Sequence, residues 1–198
     1  MTKRLIALLS VFALLAAIVS GLNAAETPAK KKKQTPQGLY LTAKEAYEMV
    51  KSDPGKVLFV DTRTPEELYF VGYTNLIDKN VPLAYVDYTK IKEKKGKAKF
   101  ASVMNPKFTQ QVAEALQAKG LSQGDSIILI CRSGSRSAKA ARILDKAGYK
   151  RVYTVVDGFE GDKDKQTHKR TVNGWKNSGL PWGYKFHKEK FILERPVK

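Results

Sequence analysis

The chain has 198 residues, of which 36 are Lys or Arg and 19 are Asp or Glu, so its formal net charge is +17. Hydrophobic residues make up 42% of the chain, which is enough for a packed core and excludes a chain that is disordered throughout. One cysteine and two histidines exclude a disulfide-stabilised mini-protein and a zinc finger, and they disfavour a His-rich metal centre or a Ser-His-Asp triad. Without its ends, the length suits one domain.

The first residues have the layout of a secretory signal peptide. A short basic start is followed by the apolar residues 5–19 and by two small residues, Ala24 and Ala25. The apolar stretch is shorter than the roughly 20 residues that cross a bilayer comfortably, which favours cleavage and leaves an uncleaved anchor as the alternative. We predict a signal peptide over residues 1–25 and a mature protein that is periplasmic or secreted.

The excess of positive charge is concentrated in three segments. Four consecutive lysines lie in residues 26–38, which we predict to be a disordered basic arm. Residues 90–99 are also rich in lysine, and residues 184–198 are predicted to be a basic C-terminal tail. An exported protein rarely meets nucleic acid, and no aromatic stacking pattern accompanies the lysines, so no nucleic-acid partner is expected. We expect these segments to be solvated or to contact an acidic protein or anionic lipid.

The predicted domain, residues 39–183, begins with alternating helix and strand signals. Thr42 opens a capping box, which predicts a helix start, and residues 57–60 form an apolar run typical of a strand buried on both faces. That strand ends at Asp61, and Thr64 precedes a proline in a second helix-start signal. Residues 81–86 are a weaker strand candidate.

The second half of the domain continues the alternation. Residues 126–130 carry the strongest strand signal and run directly into Cys131, while residues 137–147 and 152–156 are predicted to be a helix and the last strand. This order predicts an α/β fold with a mostly parallel central sheet covered by helices on both faces. Ligands in such sheets bind beyond the carboxyl ends of the strands, so Asp61 and Cys131 are expected around one pocket.

The candidate reactive site is the loop between that strongest strand and its helix, with the sequence Cys131-Arg132-Ser133-Gly134-Ser135-Arg136-Ser137. Gly134 permits a sharp turn, which can direct backbone N–H groups and the helix N-terminus at the sulfur and favour thiolate over thiol. The arginines add positive charge, and the serine hydroxyls can donate hydrogen bonds. A cysteine that merely fills the core is the alternative, but such a cysteine is not usually followed by two arginines and three serines.

The spacing within this loop separates two chemistries. Cysteine phosphatases hold phosphate with a cysteine and an arginine that are separated by five residues, whereas Arg136 follows Cys131 after four. Ser137 occupies the position where a phosphatase needs its arginine. The smaller ring suits the outer sulfur of a persulfide, so a small cysteine phosphatase or arsenate reductase is disfavoured.

Residues 130–137 resemble the active-site loop of single-domain rhodanese-like sulfurtransferases. Residues 60–67 resemble the second-strand signature of that family, and similar matches follow at residues 148–153, 157–160 and 173–181. The resemblance implies a rhodanese-like three-layer fold. It also implies that the loop binds a small anionic sulfur donor.

The mechanism that this resemblance implies is covalent catalysis by Cys131. Its thiolate attacks a sulfane donor such as thiosulfate and becomes a persulfide, and a thiol, cyanide or protein acceptor then takes the outer sulfur. Asp61 and Arg63 are expected to have supporting roles, Asp61 by accepting hydrogen bonds from the loop or an arginine and Arg63 as a surface or ion-paired residue. No metal and no organic cofactor is implied. The substrate-binding residues are expected to be Arg132, Ser133, Gly134, Ser135, Arg136 and Ser137.

A second interpretation stays open beside the enzyme. A rhodanese-like module could carry sulfur or bind an anion for an exported redox system with little turnover. Residues 73–77 and the region around Lys90 are expected to form the rim of the pocket and to decide which donor is used.

Overall fold

A computed structural model describes residues 25–94 and 96–193 of the chain. Apart from Ala25, the predicted signal peptide lies outside the described residues, as do residues 194–198 of the predicted tail. Within the described ranges, no helix is long and apolar enough to cross a membrane. In chain order, the strands and α-helices are β1 (Tyr40–Leu41), α1 (Ala43–Ser52), β2 (Val57–Asp61), α2 (Pro65–Val71), β3 (Lys79–Asn80), β4 (Ala84–Lys94), β5 (Lys97–Met104), α3 (Phe108–Ala118), β6 (Ser126–Ile130), α4 (Ser135–Lys146) and β7 (Val152–Val155).

A five-stranded sheet in the order β1-β7-β6-β2-β3 forms the centre of the fold, and all its neighbouring strands pair in parallel. Alternate residues of each strand point to opposite faces, so the sheet supplies two hydrophobic cores. Phe59 and Ile128 belong to the core beneath α1 and α2, whereas Leu58 and Ile127 belong to the core beneath α3 and α4. The predicted α/β fold, with a mostly parallel sheet covered on both faces, is therefore confirmed.

The helix starts that the sequence predicts at Thr42 and Thr64 are also present. Each threonine hydroxyl accepts a hydrogen bond from the backbone N–H three residues later, and the glutamate carboxylate at that position accepts one from the threonine N–H. Helix α4 begins at Ser135, two residues earlier than predicted, because Gly134 caps it in the left-handed conformation with φ 89°. This earlier start brings the first turn of α4 into the candidate loop.

The lysine-rich region around residues 90–99 forms an antiparallel hairpin, β4 and β5, outside the main sheet. The prediction of a short strand over residues 81–86 was therefore wrong in extent, since β4 continues to Lys94. Within the hairpin, Lys92 lies opposite Lys99, a like-charge pairing that opposes strand association. The exposed rings of Tyr88 and Phe100 contact each other edge to face, with centroids 5.2 Å apart.

The segment that we predicted to be a disordered arm is ordered and packs on the domain. Lys31–Lys33 form a short 3-10 helix, and the Lys33 ammonium donates to Val156 O at 2.8 Å. Gln37 donates from its side-chain amide to Tyr149 O, and the Arg142 guanidinium donates to Gln34 O. The run of lysines suggested a solvated segment. The partners that hold this segment on the domain lie more than 100 residues away in the sequence, so the composition of the segment could not reveal them.

The described part of the predicted tail also packs on the domain. The Tyr73 hydroxyl donates to Lys185 O at 2.7 Å, and the Phe191 ring contacts Tyr73 edge to face at 5.5 Å. Tyr73 and Ile77 are consequently buried. Tyr73, Thr74 and Ile77 therefore cannot face an open pocket, and the prediction that residues 73–77 form its rim stays open only for Asn75 and Leu76.

Candidate active site

The active loop connects the buried strand β6 to helix α4 at the carboxyl end of the sheet. Cys131 is the first residue after the strand, and its Sγ accepts a hydrogen bond from the Gly134 N–H at 3.2 Å. Ser137 Oγ lies 3.6 Å from the same sulfur, and its hydroxyl donates to Gly134 O at 3.1 Å. The sulfur thus lies between a backbone amide and the first turn of α4, an arrangement that stabilises negative charge on it.

The chain that follows β7 holds this loop in place from behind. Phe159 N–H donates to Cys131 O at 2.7 Å, and Glu160 N–H donates to Arg132 O at 2.9 Å. A Cβ on Gly158 would lie 2.5 Å from Cys131 O, so only glycine permits this approach of the two backbones. The loop is therefore fixed by the loop after β7 as well as by its own sequence.

Arg136 does not stand free beside the sulfur. Its guanidinium forms two parallel hydrogen bonds, each 2.5 Å long, to the carboxylate of Glu67 at the start of α2. The same carboxylate also accepts a hydrogen bond from Thr64 N–H at 3.1 Å. Glu67 therefore completes the capping box of α2 and binds the loop arginine at the same time. The positive charge that the sequence assigned to donor binding is thus largely compensated within the protein.

Burial and charge act in opposite directions on this ion pair. Burial works to raise the pKa of Glu67, but the hydrogen bond and charge of Arg136 outweigh it, and the pKa lies below its ordinary value of 4.5. Burial likewise works to lower the pKa of Arg136, but the hydrogen bond and charge of Glu67 outweigh it and raise that pKa. Electrostatic interactions with Cys131 and Asp61 raise the pKa of Arg136 further. Both partners are therefore ionised at neutral pH.

Glu67→Gln is expected to lower the free energy of unfolding at neutral pH by about 1–3 kcal/mol, because it removes a charge-assisted pair of hydrogen bonds. Folding lowers the pKa of Glu67, so the pair stabilises the protein above the ordinary value of 4.5, and this contribution disappears as pH falls through the lower folded value. The variant should lack that part of the acid sensitivity. Urea unfolding across acidic and neutral pH measures both effects.

The control for this prediction is Glu48→Gln, which removes one negative charge from an exposed position on α1. We expect it to retain the acid dependence of the wild-type protein. Equal pH profiles for the two variants would contradict the contribution assigned to the Glu67–Arg136 pair.

Asp61 and Arg63 form a second, fully buried ion pair at the end of β2. Arg63 Nη2 donates to Asp61 Oδ2 at 2.7 Å and to Gly72 O at 3.1 Å, and both side chains are 0–1% exposed. The guanidinium also lies 4.1 Å from the centre of the Phe159 ring. Asp61 therefore accepts hydrogen bonds from an arginine, as one of the two predicted options had it, and Arg63 is an ion-paired residue and not a surface residue.

The other predicted loop residues lie on two sides of the loop. Arg132 is exposed, and Ser137 is buried beside the sulfur. Ser133 and Ser135 are half-buried and line a cavity on the side of the N-terminal segment. Cys131 itself is 1% exposed. The seven loop residues therefore do not all face one open pocket.

Comparison with known proteins identifies the family. The profile of the Rhodanese-like domain matches residues 42–165. The chain belongs to the rhodanese-like domain family. An uncharacterized protein of Rickettsia rickettsii, a homolog of RP600, is 34% identical over 140 residues, which are 71% of this chain and 93% of that protein.

Two further comparisons bear on the chemistry and the fold of this rhodanese-like domain. Thiosulfate sulfurtransferase 16, chloroplastic, from Arabidopsis thaliana is 32% identical over 123 residues, which are 62% of this chain and 77% of that protein. The crystal structure of Rv0390 from M. tuberculosis has a TM-score of 0.55 and 29% identity, and the match covers 74% of this chain and 97% of that one. The domain match and the similarity to the sulfurtransferase support a sulfur-transfer family, and the Rv0390 structure supports the fold.

Sequence reasoning did not assign a role at the site to Glu67 or Thr62. Glu67 was visible only as part of a helix-start signal, although the structure places its carboxylate on Arg136. Thr62 donates from both N–H and hydroxyl to Ile130 O, at 2.8 and 3.0 Å, and so joins the end of β2 to the start of the loop. The position of Thr62 directly after the strand-end Asp61 was the available signal.

Proposed function

We propose that this rhodanese-like domain is a sulfurtransferase in which Cys131 accepts a sulfane sulfur from a donor such as thiosulfate. The observation that carries the proposal is the position of the cysteine sulfur, 3.2 Å from the Gly134 amide at the start of α4. Amides and a helix N-terminus around a sulfur stabilise the thiolate, which is the nucleophilic form. The similarity to the Arabidopsis thiosulfate sulfurtransferase supports the same chemistry.

The proposed reaction has two half-reactions that balance without an external oxidant. In the first, the thiolate of Cys131 attacks the outer sulfur of thiosulfate, a new S–S bond forms, and sulfite leaves with the electron pair of the broken bond. In the second, a nucleophilic acceptor such as cyanide attacks the outer sulfur of the persulfide. Thiocyanate leaves, and the thiolate of Cys131 is restored.

The loop residues would have two roles, stabilising the reacting sulfur and attracting the donor. The Gly134 amide donates to the sulfur of Cys131, and it would stabilise the negative charge on that sulfur when Cys131 is a thiolate. Arg132 is the exposed arginine of the loop and would attract an anionic donor, because Arg136 is engaged by Glu67. Since Cys131 is 1% exposed, the donor can reach it only if neighbouring side chains move.

Mass spectrometry of the protein before and after exposure to thiosulfate tests the proposal. We expect an adduct of about 32 Da on Cys131, the mass of one added sulfur in a persulfide. Cys131→Ser should carry no adduct and should form no thiocyanate from thiosulfate and cyanide. The absence of an adduct with every sulfane donor would overturn the proposal. The same spectra test export, because we propose that residues 1–25 are removed and that the mature protein is periplasmic or secreted.

The burial of Cys131 favours a second candidate, in which the domain carries sulfur for an exported redox system with little turnover. A persulfide on Cys131 together with negligible thiocyanate formation would support this carrier. Turnover of an aryl phosphate at a rate comparable to sulfur transfer would instead support the phosphatase that the loop spacing disfavours.

A further inference from the structure

A cavity of about 260 Å³ lies beside the active loop, next to the N-terminal segment. Ser133 and Ser135 of the loop form one wall, and residues of the N-terminal segment form another. We call it the basic cavity, because five of its described lining side chains are cationic and one is anionic. The cations are Lys30, Lys32, Lys33, Lys163 and Arg170.

The single carboxylate in the basic cavity, from Asp162, leaves an excess of four positive charges. Lys30 and Lys33 both approach this carboxylate, with each nitrogen 3.3 Å from an oxygen. Burial works to raise the pKa of Asp162, but Lys33 and Lys30 outweigh it and lower that pKa, so the carboxylate is ionised at neutral pH. Lys32 and Lys163 are exposed. The cavity therefore keeps a strong positive potential toward solvent.

One of these cations is built into the protein rather than placed on its surface. Lys33 is 6% exposed, and its ammonium donates to Val156 O at 2.8 Å as well as to Asp162. A Cβ on Gly134 would lie 2.2 Å from the same Val156 oxygen, so the Lys33 ammonium and the active loop both lie close to this one carbonyl. Burying an ammonium is costly unless it is well paired. The structure thus holds this charge directly against the loop.

The donors that face the basic cavity suit an oxyanion with more than one negative charge. Ammonium groups donate charge-assisted hydrogen bonds to phosphate and sulfonate oxygens, and the hydroxyls of Ser133 and Ser135 can donate two more. Helix α4 starts at Ser135, so its N-terminus adds partial positive charge on the same side. Arg136 is compensated by Glu67, so this cavity supplies positive charge beside the loop that Arg136 does not.

We propose that the basic cavity is a binding site for an oxyanion of the phosphate and sulfonate class, either free or as the charged end of a larger molecule. This site is distinct from the sulfur of Cys131, and it does not depend on the proposed sulfur transfer. In this proposal the lysines of the N-terminal segment that line the cavity bind the anion.

Isothermal titration calorimetry at constant, low ionic strength tests the site, with inorganic phosphate and O-phosphoserine as probes. We expect saturable binding to the wild-type protein. Lys32→Gln/Lys163→Gln should weaken it by about tenfold, because two charge-assisted contacts are lost. Lys97→Gln/Lys99→Gln removes the same charge from the exposed hairpin and should change binding by less than about twofold. Tighter binding of phosphate indicates a free anion, and tighter binding of phosphoserine indicates a larger ligand; both support the site.

Two results would overturn the proposal. The first is the absence of saturable binding of either probe to the wild-type protein. The second is equal weakening by the two double variants, since this would reflect net charge alone. Amide chemical shifts locate the anion independently, and we expect phosphate to shift the resonances of Ser133 and Ser135. Shifts confined to the Cys131 and Gly134 amides would place the anion at the sulfur and contradict the cavity site.

Discussion

Arg63→Ala is expected to lower the free energy of unfolding by about 3–5 kcal/mol, because it leaves Asp61 charged and buried without its partner. The pair is bidentate, and neither side chain reaches solvent to compensate for the loss. The guanidinium also binds Gly72 O and covers the Phe159 ring, so its removal unpairs a carbonyl and leaves a void. Urea unfolding of the purified variant measures the loss.

A surface ion pair of the same chain provides the control for Arg63. Lys56 lies 3.1 Å from Asp53, and their side chains are 81% and 45% exposed. Lys56→Ala should change the free energy of unfolding by less than about 1 kcal/mol, because exposed pairs are screened by water and salt. Equal losses for Arg63→Ala and Lys56→Ala would contradict the importance of burial for the Asp61 pair.

The double variant Asp61→Asn/Arg63→Met separates the cost of an orphaned charge from the value of the pair. Removing both charges leaves no buried ion without a partner, so we expect the double variant to lose less stability than the sum of the two single variants. If Arg63→Ala instead stays as stable as the wild type but loses sulfur transfer, a direct catalytic role would replace the structural one assigned here.

The elements that the sequence predicted correctly are those that local patterns specify. The capping boxes at Thr42 and Thr64 depend on residues three apart, and the buried strands read as short apolar runs. The position of Cys131 after the strongest strand signal likewise placed it at the carboxyl end of the sheet. From such local signals the parallel α/β fold and the identity of the candidate loop could be predicted.

The contacts that the sequence did not reveal join residues far apart in the chain. Arg136 and Glu67 are separated by 69 positions, and Lys33 and Val156 by 123. No periodicity or composition connects such residues, so Arg136 was assigned to the donor and the lysine run to a disordered arm. The electrostatics of the site therefore depend on partners that only the three-dimensional structure identifies.

Gly134→Ala is expected to reduce sulfur transfer by about 100-fold, because it displaces the amide that donates to the Cys131 sulfur. The new Cβ would lie 2.2 Å from Val156 O, and neither atom can turn away as the end of a flexible side chain can, because the backbone fixes the position of a Cβ and Val156 O is itself a backbone atom. Gly134 also has φ 89°, a conformation that is strained for alanine. We expect strain and collision together to lower the free energy of unfolding by about 2–4 kcal/mol.

Gly120→Ala separates the two causes, since Gly120 has φ 73° but no atom within 4 Å of the position that a Cβ would take. That control should lose about 1 kcal/mol from strain alone and should keep full sulfur transfer. The difference between the two variants in the free energy of unfolding then measures the cost of the collision between the new Cβ and Val156 O. If Gly134→Ala loses no more stability than Gly120→Ala and still transfers sulfur at the wild-type rate, the Gly134 amide does not stabilise the reacting sulfur. The negative charge on the sulfur would then have to be stabilised by the electrostatic field at the start of α4.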